Sequence, residues 1–177
     1  MRNLPIVSTK WWIVWGIISP MLVILSFLSG FFISPYLMIV FELLPPAFFG
    51  LWVQDKENFK INSYKFIFLF LVLALLIITF GKAFVWISIL IMLGLLWAVR
   101  FTKEQFLWSF GAMMLYGILG LIPVFALIFG TNIEIDGIKE VLGRLSLLYV
   151  VAILFVYFIK GAIFGLIMQR FKINVFK

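Results

Sequence analysis

FIFLFLVLALLIITFGKAFVWISILIMLGLLWAV, residues 66–99, decides how many times this chain crosses a membrane. The stretch carries a single charge, Lys82. As one helix its 34 residues would run ~51 Å, far longer than a hydrocarbon core of about 30 Å. A tight turn at Gly81-Lys82 resolves the excess and predicts two spans, 66–80 and 83–99. Working outward, comparable apolar runs lie at 11–33, 36–53, 106–130 and 146–169. They are continuous rather than alternating, which selects helices over a barrel. The expectation is all-α: one integral membrane domain over 1–177, a polytopic bundle of six transmembrane helices.

Composition points the same way. Hydrophobic residues make up 66% of the chain and charged residues 12%, with mean hydropathy +1.24. Soluble domains carry about 25% charged residues, so this chain has too little polar surface to cover a water-soluble globule. The first apolar run is longer than a signal-peptide core and ends without an A-x-A site, so it reads as a retained span. With no Cys and no His, disulfides, thiolates and the commonest general base and metal ligand are excluded. No cofactor or metal site is expected. The net charge of +7 fits topology and anionic lipid better than nucleic acid.

Charge also orients the bundle. Arg2, Lys10, Lys56, Lys60, Lys65, Arg100, Lys103, Arg170, Lys172 and Lys177 fall on one side of the six-span scheme, and only Lys82, Lys139 and Arg144 on the other. By the positive-inside rule both termini are cytoplasmic. The location expected is a bacterial cytoplasmic membrane, crossed several times. Trp11, Trp12, Trp15, Trp52, Trp97 and Trp108 all fall near inner span ends, as interfacial anchors do. Two segments lie outside the spans. IEIDGIKEVLGRL (133–145) either lies on the outer surface or simply connects. RFKINVFK (170–177) mixes basic and apolar residues as an inner-leaflet anchor would.

Two ionisable residues fall inside spans, where burial costs at least a few kcal/mol. Glu42 sits ~9 Å below the outer end of its span, just before Pro45 and Pro46. Prolines there cannot donate to the carbonyls of Phe41 and Glu42, which predicts a break or kink in mid-span. Glu42 would then lie at the negative end of a half-helix. It either binds a cation or a small cationic or polar ligand, as discontinuous helices do in transporters, or snorkels to the headgroups. Lys160 is ~21 Å below the outer end of its span, too deep for a direct pair. It lies inside span 6, or marks the end of a span over 145–159 followed by a surface segment. Beside it GAIFG (161–165) places Gly161 and Gly165 four apart, a groove for close helix approach. Another span, a second copy or a different protein could fill that groove.

Catalysis is not expected. Asp55 and Asp136 lie in loops, and nothing positions Ser19, Ser26 or Ser29 against Lys160 for a Ser–Lys dyad. Three non-enzymatic classes fit: a membrane-complex subunit or partner-binding protein, including self-association; a small solute-binding transporter component; and an immunity-type membrane protein. In size, span count and inside termini the layout resembles the substrate-capture subunits of energy-coupling-factor transporters, which implies solute binding within the membrane. Span 1, GIISPMLVILSFLSG, differs from the Ala-x-x-x-Ala docking face of their first helix.

Overall fold

The computed structural model describes residues 10–54, 58–80, 101–131 and 147–175. Its elements are helices: α1 (Trp11–Phe32), α2 (Leu37–Gln54), α3 (Phe59–Phe80), α4 (Lys103–Leu119), α5 (Leu121–Thr131) and α6 (Leu147–Val175). Five stretches among the described residues are long and apolar enough to cross a membrane: Trp11–Phe32, Leu37–Gln54, Phe59–Thr79, Lys103–Ala126 and Val150–Phe171. The protein is thus a multi-pass helical membrane protein. The expected span at 83–99, the turn at Gly81-Lys82 and the 133–145 segment lie outside the described residues.

Local chemistry sets the helix ends. The Ser34 amide donates to the Ser29 carbonyl at 2.9 Å, closing α1, and Pro35 cannot continue it. The Ser34 carbonyl then accepts from Leu37 at 3.0 Å and opens α2. At α4 the side chains of Thr102 and Gln105 cap reciprocally. The Gln105 amide donates to Thr102 Oγ1 at 3.2 Å, and the Thr102 amide to Gln105 Oε1 at 3.1 Å.

The helices group into two compact units, Leu22–Tyr116 and Met1–Met21 with Gly117–Lys177. In the first, α3 lies antiparallel on α2. Phe41 meets Phe70, Phe48 meets Phe66, and Trp52 meets Phe59, with centroids 4.5–5.2 Å apart. Leu37, Val40, Leu73 and Ile77 form the buried centre at the other end of this pair. Helix α4 also runs antiparallel to α2. A Cβ on Gly50 would stand 2.8 Å from Ala112 Cβ, and Gln54 Nε2 donates to Glu104 Oε2 at 3.3 Å. In the second unit α1 and α6 are antiparallel: Trp11 lies against Gly165, Trp15 against Gly161, and Gly16 against Phe158.

Three expectations need correction. Helix α3 begins at Phe59 rather than 66, because its polar first turns remain hydrogen-bonded as helix. Ser63 Oγ donates back to the Phe59 carbonyl at 2.7 Å, and Asn62 is buried. The span expected over 106–130 starts earlier and is divided at Gly120. Span 2 does not break: α2 is helical through Pro45 and Pro46. The packing of Phe41, Phe48, Phe49 and Trp52 on both sides of the prolines holds the helix together across the lost donors.

Candidate functional site

Helix α6 is one continuous helix of 29 residues, ~43 Å long and ample to cross a bilayer. The reading that ended span 6 at residue 159 and laid 161–177 on the surface does not hold as far as Val175. Lys160 stands at the middle of the spanning window Val150–Phe171, the most apolar of the five. It is only 4% exposed. Its side chain therefore runs into the protein rather than out to headgroups.

What it meets is the division between α4 and α5. Gly120 interrupts the helix, and its amide donates to the Gly117 carbonyl at 3.0 Å, three residues back instead of four. The sequence YGILGLIP, 116–123, explains the interruption. Two glycines weaken two successive turns, and Pro123 has no amide to offer the Leu119 carbonyl. A Cβ on Gly120 would stand 2.8 Å from the Gly117 oxygen and 3.6 Å from Lys160 Nζ. The ammonium thus borders the carbonyl end of α4, where the helix dipole is negative and a cation is favoured. The Tyr157 ring, one turn earlier on α6, has its centroid 5.3 Å from Nζ.

A close seam with α1 fixes this part of α6. A Cβ on Gly161 would overlap the Trp15 carbonyl oxygen and stand 2.6 Å from Ser19 Cβ. One on Gly165 would overlap the Trp11 carbonyl oxygen and stand 2.8 Å from Trp12 Cα. Backbone packs against backbone, as small residues four apart permit. Beside the glycines, Trp15 and the fully buried Phe164 meet edge to face at 4.7 Å. Ser19 is buried along the same seam, against Gly161, and Met168 is buried one turn beyond Gly165.

The other expected positions divide. Glu42 and Pro45 are half-buried and Pro46 is buried, all on the continuous α2 of the Leu22–Tyr116 unit, with Glu42 Oε1 enclosed by protein. An acid at a half-helix end, the arrangement that motivated a ligand site there, is absent. Of the tryptophans, Trp11, Trp15 and Trp52 are buried, Trp108 is half-buried, and Trp12 is 39% exposed. Three of the expected anchors thus pack inward instead of facing lipid headgroups, and Trp97 lies outside the described residues. Ser26 Oγ donates to the Met38 carbonyl at 3.1 Å and Ser29 Oγ to the Ser26 carbonyl at 2.9 Å, so both hydroxyls are engaged with backbone. Among the described residues no cluster of His, Cys, Asp and Glu could hold a metal.

Gly117, Gly120 and Pro123 were not singled out from the sequence. The available signal was the regular three-residue spacing of helix-weakening residues within one apolar run. No family model, curated protein or solved structure matches this chain.

Proposed function

We propose that this chain is a non-enzymatic, solute-binding membrane component whose site is the interrupted span at Gly120, with Lys160 as its fixed charge. One observation carries the reading: an ionisable side chain buried at mid-span beside a helix end. A span that only crosses the bilayer or docks a neighbour gains nothing from a lysine there, and burying it costs a few kcal/mol. Interrupted spans with a charge at the break are a recurring construction for intramembrane binding. The competing partner-binding reading drew its specific support from the Gly161/Gly165 groove. Helix α1 of this same chain lies in that groove.

Six crossings with cytoplasmic termini belong to the same proposal. In one unit α1 and α6 are antiparallel, which supports an even number of crossings between Trp11 and Arg170. In the other, α3 and α4 both run antiparallel to α2, and Lys65 Nζ lies 5.1 Å from the Phe101 ring. The parallel course of α3 and α4 supports the sixth crossing proposed between them. The basic residues favour the cytoplasmic side for both ends.

Native mass spectrometry of the protein released from its own membranes tests the binding reading. The expected result is a small molecule bound to the wild type and lost from Lys160→Met at unchanged fold. A wild type carrying no such molecule, or an unchanged complement in Lys160→Met, overturns it.

A further inference from the structure

We infer that the carbonyl end of α4 at the Gly117–Gly120 turn is a monovalent-cation site, and that the ammonium of Lys160 is its built-in occupant. The last carbonyls of any helix lack intrahelical donors. Here they lie within an apolar span, where water is not at hand to serve them. The Gly117 oxygen receives the Gly120 amide and keeps a second lone pair. The Leu119 oxygen cannot be served by residue 123, a proline. An ammonium has three donors and no acceptor, which matches a group of carbonyls that can only accept.

The geometry places it there. Gly117 O and Lys160 Nζ border the same small space, the one that a side chain at position 120 would fill. Tyr157 adds an aromatic ring whose centroid lies 5.3 Å from the ammonium. Backbone carbonyls are also the groups that replace the hydration shell of small alkali cations in channels. The ligand class is therefore a primary ammonium or a small monovalent cation. A divalent ion would call for carboxylates, and the described residues of this unit include no Asp or Glu.

The test uses the purified full-length protein in nanodiscs and follows thermal unfolding. Lys160→Ala removes the tethered ammonium. Its midpoint should fall by roughly 5 °C or more and recover by at least half with millimolar propylammonium. Propanol, the neutral isostere, should give no recovery, and the wild type should respond to neither. Potassium and sodium salts, compared against choline, report whether the carbonyls also accept an inorganic ion. Recovery by either extends the ligand range of the site, and recovery by propylammonium alone restricts it to ammonium groups. A Lys160→Ala midpoint equal to wild type, or equal recovery with propanol, overturns the inference.

A second measurement covers the case in which Lys160→Ala does not fold. Pro123→Ala supplies the missing amide to the Leu119 carbonyl, so Lys160→Met should lower the midpoint less in a Pro123→Ala background than alone. Strict additivity of the two substitutions overturns the assignment. Neither measurement depends on the molecule sought by mass spectrometry, so they stand or fall separately from that test.

Discussion

Gly161→Ala adds one methyl group at the tightest point of the α1–α6 seam. That methyl would overlap the Trp15 carbonyl oxygen and stand 2.6 Å from Ser19 Cβ, where carbon atoms prefer about 3.5–4.0 Å. The helices must separate by about 1 Å to admit it. Separation loosens the Trp15–Phe164 contact, worth about 0.5–1.5 kcal/mol, within an overpacking cost of about 1–3 kcal/mol. Alanine returns about 0.5–1 kcal/mol through its better helix propensity. The net expectation is a loss of roughly 1–2 kcal/mol. Gly111→Ala is the matched control, because a Cβ on Gly111 meets nothing within 4 Å. It should gain about 0.5–1 kcal/mol. The two substitutions are chemically identical, so their difference isolates the seam. Equilibrium unfolding in mixed micelles, read by tryptophan fluorescence, measures both. If Gly161→Ala proves as stable as Gly111→Ala, the backbone contact is not there and α1 does not fix α6.

The remaining predictions concern topology and a buried hydroxyl. The chain has no native Cys, so single cysteines at Ser34, Asn58 and Thr102 can be labelled with a membrane-impermeant maleimide. Asn58→Cys and Thr102→Cys should react from one face and Ser34→Cys from the other; a Thr102→Cys that reacts from the Ser34 face refutes the even count. Ser26→Ala removes the donor to the Met38 carbonyl across the α1–α2 turn and should cost about 0.5–1.5 kcal/mol in the same unfolding assay. Thr79→Val removes only an exposed bond back to Leu75 in its own helix and should be nearly neutral. Equal costs would mean that the Ser26 bond does not hold the turn.

The membrane class and most helix ends were legible because the apolar runs stop where the turn chemistry stops them. Ser34-Pro35 ends one helix and starts the next, between the runs expected at 11–33 and 36–53. Helix α3 shows the limit of that signal. Hydropathy reports where lipid begins, not where the backbone ceases to be helical. Asn62 and Ser63 are polar yet sit inside the helix, one buried against protein and the other bonded to its own preceding turn. The same limit applies to the tryptophans. A ring near a span end suits a headgroup or a protein neighbour equally well, and for Trp11, Trp15 and Trp52 the neighbour is protein.

Prolines misled the reading of the site for a related reason. Two adjacent prolines are the stronger local signal, yet α2 continues through Pro45 and Pro46 while the chain is interrupted just before the lone Pro123. A proline deletes one donor and crowds one carbonyl; whether the helix then ends depends on what holds the turns around it. At 45–46 the flanking Phe41 and Phe48 pack against Phe70 and Phe66 of α3. Before Pro123 the preceding turns carry Gly117 and Gly120, which have no side chain to pack against a break, and Lys160 Nζ borders the space beside Gly120. The fate of Lys160 follows from the same contact. By its own sequence neighbourhood it was free to snorkel. Its inward course depends on a glycine elsewhere in the chain that leaves room for the ammonium, so neither residue is legible as a site without the other.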